Sequence, residues 1–179
     1  MDRRAFALGL AAACVAAPAR AQRVPPEVAA ELGSPRLLGR GRLRVMGFHV
    51  YDARLWSTQP LAGSDWHSRT LALEIEYARR LGGRAIAERS LEEMRRQREI
   101  PREQASRWLD SLVATLPDVA EGDRITGVQR PGEGARFFAN GTLRGEVRDA
   151  EFARLFFGIW LSDQSSQPAL RAALLGGST

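Results

Sequence analysis

The chain has 179 residues, enough for one domain with a substantial core, and 44% of them are hydrophobic. Its net charge is +5 and no lysine occurs, so every basic side chain apart from the two histidines is a permanently charged arginine. The one cysteine, Cys14, can make no disulfide within the chain. No phosphate loop, dinucleotide fingerprint or metal-ligand spacing is present, which leaves no cofactor to expect.

Residues 1–21 open with Arg3 and Arg4, run on as an apolar stretch from Ala5 to Ala17, and end in Ala19-Arg20-Ala21. A basic start, a short apolar run and a small-x-small end predict a secretory signal peptide, too short to remain as a membrane span. Arg3-Arg4-Ala5-Phe6 fits a twin-arginine signal as well as an ordinary one. The expected destination is the periplasm, which sets nucleic acid aside as a partner. An acidic small molecule or peripheral contact with an anionic membrane surface suits the arginine-rich remainder. No later stretch is apolar for long enough to be transmembrane.

Residues 22–37, rich in proline, read as a lead-in that is partly extended, and the domain proper is expected over 38–176. Residues 38–56 predict a hairpin broken at Met46-Gly47. Residues 71–77 alternate cleanly, Leu71, Leu73, Ile75 and Tyr77 against Ala72, Glu74 and Glu76, as a half-buried strand does. After the break at Gly82-Gly83, residues 84–98 predict an Arg/Glu-rich helix. Residues 101–116 predict a second, with Ala105, Trp108, Leu109, Leu112, Val113 and Leu116 as its apolar stripe. Strands follow at 124–129, 135–140 and 143–147, with Asn140-Gly141 as a tight hairpin turn. Asp149 is placed to cap a helix over 150–161 with Phe152, Leu155, Phe156, Ile159 and Trp160 along one face, and a last helix over 168–175 stops at Gly176-Gly177. Hairpins dominate and no strand–helix–strand alternation occurs. The fold class that follows is α+β, an antiparallel sheet with helices packed on one face.

Candidate chemistry is sparse. His49 and His67 are isolated and read as surface or structural residues. Glu74 and Glu76 share a strand face, where a catalytic acid/base pair or, more simply, a solvated sheet face would place them. The run from Arg95 to Arg98 reads as a solvated helix end. Arg40, Arg42 and Arg44 share one strand face. Their guanidiniums there could clamp a carboxylate or phenolate, or line an exposed sheet face opposite Glu74 and Glu76.

Three stretches together resemble the chalcone isomerase-like family. They are Gly39-Arg40-Gly41-Arg42-Leu43-Arg44 with Val50-Tyr51-Asp52-Ala53-Arg54-Leu55-Trp56; residues 83–94; and Gly122-Asp123-Arg124-Ile125, Asn140-Gly141 and Phe156-Phe157-Gly158-Ile159-Trp160-Leu161. The pattern is most similar to the exported bacterial branch. The resemblance implies a large antiparallel sheet with a helical layer and a ligand cleft between them. It also implies an arginine from the first hairpin in that cleft, with Arg40, Arg42 and Arg44 all open as the choice. In the enzymes a threonine, a tyrosine, an asparagine and a late Ser/Thr complete the site. Here these positions fall near Tyr51, at Ile86, at Glu93 and near Ile159. Loss of that orienting polar set removes transition-state stabilisation more than ground-state binding. The expected function is therefore a binder of a small amphipathic acid, fatty-acid-like, with its carboxylate on one of the three arginines and Tyr51. Two alternatives stand beside it. One is an isomerase or intramolecular lyase for a phenolic or enone substrate, with Tyr51 and Glu93 as acid and base. The other is a protein-partner module with a vestigial cleft.

Overall fold

The computed structural model describes residues 23–61 and 65–176; the signal-peptide reading falls on residues outside these. The elements in chain order are α1 (Pro26–Leu32), β1 (Arg36–Val45), β2 (Phe48–Ser57), β3 (Leu71–Tyr77), α2 (Gly83–Gln97), α3 (Arg102–Thr115), β4 (Arg124–Arg130), β5 (Gly134–Ala139), β6 (Thr142–Val147), α4 (Ala150–Leu161) and α5 (Pro168–Leu174). A single 3-10 turn at Asp65–Ser68 precedes β3. The six strands form one antiparallel sheet in sequence order, β1 to β6. Among the described residues no helix is long and apolar enough to cross a membrane.

Alternation decides what each face of the sheet meets. Leu71, Leu73, Ile75 and Tyr77 of β3 point with Ala53 and Leu55 of β2 and Phe137 of β5 into the main core beneath α2–α5. Helix α4 is the centre of that layer. Asp149 caps it by accepting from the backbone N–H groups of Glu151 and Phe152, and Phe152, Phe156 and Phe157 are buried. Phe137 meets Phe156 edge-on at 5.1 Å, and Phe152 stacks on Phe156 at 5.7 Å.

The lead-in is corrected by the structure. Pro25 and Pro26 do not extend the chain but open α1, where proline suits the first helical turn. That helix lies on the opposite face of the sheet, with Val28 packed on Trp56, Ala72, Val128 and Phe138. Its Glu27, 4% exposed, accepts hydrogen bonds from Arg124 Nη2 (2.9 Å) and Thr126 Oγ1 (2.9 Å).

The same face holds a second correction. Glu74 is not solvated: it is 4% exposed and accepts from Trp56 Nε1 at 2.9 Å and Arg54 Nη1 at 3.1 Å. Arg124 Nε lies 3.7 Å from it and ties this carboxylate to the Glu27 pair. Period-2 alternation correctly placed Glu74 away from the main core. It could not reveal that α1 and a neighbouring tryptophan cover that side too.

Candidate ligand cavity

Between the sheet and the helical layer lies a cavity of about 410 Å³. Its floor is Leu43, Val45, Val50, Tyr51, Ile75, Tyr77 and Ile125. Its roof is Ile86, Arg89, Ser90 and Glu93 of α2 with Phe156, Ile159 and Trp160 of α4. The volume falls in the range of roughly 300–1,000 Å³ typical of small-molecule sites, and a mostly apolar lining with few polar groups is their usual composition.

A bulge shapes the floor. Leu43 pairs with Tyr51 and Arg44 with His49, leaving Val50 as an extra residue on β2. The extra residue breaks the alternation, so that Val50 and Tyr51, neighbours in the chain, both line the cavity.

Tyr51 is the central polar group. Trp160 Nε1 donates to its Oη at 2.9 Å, and Tyr77 meets its ring edge-on at 6.0 Å. Burial pushes the phenol up to about 12; the Trp160 hydrogen bond opposes the rise and the negative charge of Glu93 adds to it. Tyr51 is therefore neutral at physiological pH. With its oxygen held by the indole, its own proton is available to an acceptor in the cavity. Burial likewise raises Tyr77. Glu93, 7% exposed, stands on α2 at 2.5 Å from Arg89 Nη2 and 3.6 Å from Arg96 Nε. Ser90 Oγ donates back to the Ile86 carbonyl at 2.8 Å and keeps its acceptor side.

The structure thus brings together Tyr51, Ile86 and Glu93, and leaves out Arg40, Arg42 and Arg44. Those three are exposed on the other face of β1. Arg42 binds Asp52 through Nε at 2.8 Å, and Arg44 folds back to the Gly47 carbonyl at 3.3 Å. The reason lies in the residues between them. A Cβ on Gly39 would stand 2.2 Å from the Ala173 carbonyl oxygen, and one on Gly41 2.5 Å from Leu170 Cδ1. The glycines are the inward positions, kept bare so that α5 can pack on β1, and alternation then turns the arginines outward. The expectation that a β1 arginine enters the cleft is corrected accordingly. The arginine at the cavity is Arg89 of α2, which the sequence reading did not single out within its Arg/Glu-rich helix. Its signal was a spacing: Ile86, Arg89, Ser90 and Glu93 recur at helical intervals on one face. Trp160 was likewise legible as part of the α4 stripe, but its bond to Tyr51 spans 109 residues.

The chalcone isomerase-like profile matches residues 22–176. The chain belongs to the chalcone isomerase-like family. An uncharacterized protein of Haemophilus influenzae is 30% identical over 129 residues, covering 72% of this chain; the match spans 62% of that relative's length. Among solved structures, a fatty-acid binding protein of Arabidopsis thaliana superposes with a TM-score of 0.63 over 80% of this chain and 87% of its own, at 15% identity. At that identity the likeness is one of fold. This member of the family keeps the sheet, the helical layer and the cavity between them. At Ile86 and Ile159 it puts hydrocarbon into that cavity.

Proposed function

We propose that the protein is a non-catalytic binder of a small amphipathic acid, fatty-acid-like, acting in the periplasm. The observation that carries this reading is an apolar cavity of about 410 Å³ whose polar end is the neutral Tyr51 phenol, oriented by Trp160. The hydrocarbon of such a ligand gains from burial against Ile75, Ile86, Ile125 and Ile159, at roughly 25 cal/mol per Å². Its carboxylate accepts a hydrogen bond from the Tyr51 hydroxyl, and Arg89, paired with Glu93, is the arginine at the same end. Fatty-acid binding by the Arabidopsis neighbour supports the class of ligand. The signal-like sequence of residues 1–21 supports the compartment.

Isomerase chemistry on an enone is the second reading, favoured by Glu93 standing buried on the cavity wall. Both of its oxygens are engaged by arginines, Oε1 by Arg89 and Oε2 by Arg96, which leaves it poorly placed to exchange protons with a substrate.

The test is a titration with cis-parinaric acid, together with mass spectrometry of molecules extracted from the protein purified from periplasm. Saturable binding at one site, abolished by filling the cavity with Ile86→Trp, is expected. Absence of binding in a folded protein defeats the proposal. Turnover of a chalcone or enone that depends on Glu93 replaces it with the second reading.

A further inference from the structure

Two hairpin turns leave the same end of the sheet, and they differ in one telling respect. Asn140-Gly141 joins β5 to β6 with φ of 49° and 85°; Met46-Gly47 joins β1 to β2 with φ of 50° and 83°. Two successive positive φ values define the type I′ turn, whose first position favours asparagine, aspartate or glycine. The second hairpin obeys that rule. The first puts methionine there, in a left-handed conformation and 93% exposed, with Phe48 beside it at 67% and Val45 at 49%. Neither the turn nor the core explains three apolar side chains held in water at a loop tip.

The surroundings of the tip are cationic. Arg44 folds over the turn onto the Gly47 carbonyl at 3.3 Å. The Ala78 N–H donates to the Val50 carbonyl at 2.9 Å, so β3 leaves the sheet alongside β2. Arg79 and Arg80, both exposed, therefore emerge next to the tip. Neither makes an ion pair among the described residues. Asp52 of β2 is bound by Arg42 at 2.8 Å, and the exposed Glu121 and half-buried Asp123 stand at the same end of the sheet, before β4. Val45 belongs at once to the exposed tip and to the cavity wall, so the two are continuous.

We infer that the β1–β2 tip is a membrane-docking element. Met46 and Phe48 insert at the surface of an anionic bilayer, Arg44, Arg79 and Arg80 meet its headgroups, and the cavity mouth faces the lipid. Apolar side chains ringed by arginine suit an anionic lipid surface, where insertion and charge act together. This goes beyond ligand binding, because docking depends on residues outside the cavity apart from Val45.

Flotation with vesicles tests it, using phosphatidylethanolamine containing phosphatidylglycerol against phosphatidylcholine alone. The protein is expected to float with the anionic vesicles and not with the neutral ones. Met46→Ser with Phe48→Ser should lower that binding by roughly tenfold or more, both side chains being exposed and dispensable to the core. Arg79→Gln with Arg80→Gln should weaken it by roughly fivefold per arginine and reduce its salt sensitivity. Binding of decanoate in solution should be unchanged in both variants, which separates docking from the cavity: loss of decanoate binding in the parent protein overturns the ligand reading alone. The docking inference is overturned if the parent protein does not float with anionic vesicles, or if the Met46/Phe48 variant floats as well. It is equally overturned if sedimentation shows that the tip instead pairs two copies of the chain.

Discussion

Replacing Tyr51 by phenylalanine separates the structural from the ligand-binding work of one oxygen atom. The ring, its edge contact with Tyr77 and its place on the cavity wall are retained, and only the bond from Trp160 Nε1 at 2.9 Å is lost. A neutral hydrogen bond of this kind contributes about 1 kcal/mol to stability, rising toward about 3 kcal/mol where the stranded donor stays dry. The indole N–H borders a cavity, where water can replace the phenol, so about 1 kcal/mol is expected by urea denaturation followed through tryptophan fluorescence. Ligand affinity is the sharper readout. A hydrogen bond to a charged acceptor is worth about 1.5–3 kcal/mol, which corresponds to a rise in Kd of roughly 10- to 150-fold for decanoate. For decanol, a neutral partner, the loss is about 1 kcal/mol or less, at most roughly fivefold. Calorimetric titration of both ligands against both proteins measures the difference directly. An unchanged decanoate Kd alongside the expected fall in stability would show the phenol to be a structural prop. It would then remove Tyr51 from the binding site.

Four other outcomes follow from the geometry. The Tyr51 phenol is about 12 in the fold and ordinarily near 10, so folding favours its protonated form. That stability is fully present below about pH 10 and is lost as pH rises toward about 12. The chain has two tyrosines, and absorbance at the tyrosinate band should show neither ionising near pH 10 while the fold persists; ionisation at an ordinary value refutes the burial. Glu74→Ala strands Trp56 Nε1 and takes from Arg54 one of its two carboxylates, and about 3 kcal/mol, or a fall in Tm of roughly 6–12 °C, is expected; a fall under about 2 °C contradicts a shared buried acceptor. Gly39→Ala drives a methyl into the Ala173 carbonyl and should cost about 1–3 kcal/mol by denaturant titration, while Arg42→Ala on the other, exposed face should leave the denaturation midpoint nearly unchanged. Decanoate affinity should stay within about twofold in Arg42→Ala and weaken in Arg89→Ala by roughly fivefold or more; the reverse order would return a β1 arginine to the cavity.

Much of the fold was legible because it is written in short-range periodicity. Leu71, Leu73, Ile75 and Tyr77 could only be one face of a strand, and Asn140-Gly141 could only be a tight turn. The apolar stripe of α4 announced a core helix, with Asp149 as its cap. The site was legible in part. Tyr51, Ile86 and Glu93 do line the cavity, though they were reached through family resemblance rather than from local pattern. Arg40, Arg42 and Arg44 misled because alternation says that residues share a face without saying which face, and a single bulge changes the answer along one strand.

The sequence by itself determined the antiparallel hairpins and the helical layer, since each depends on residues a few positions apart. Tertiary structure alone decided three things: that Gly39 and Gly41 point under α5, that Glu74 is sealed beneath α1, and that Trp160 holds Tyr51. Each of these depends on which surface covers a given face. That is settled by contacts between segments far apart in the chain, which no local period encodes.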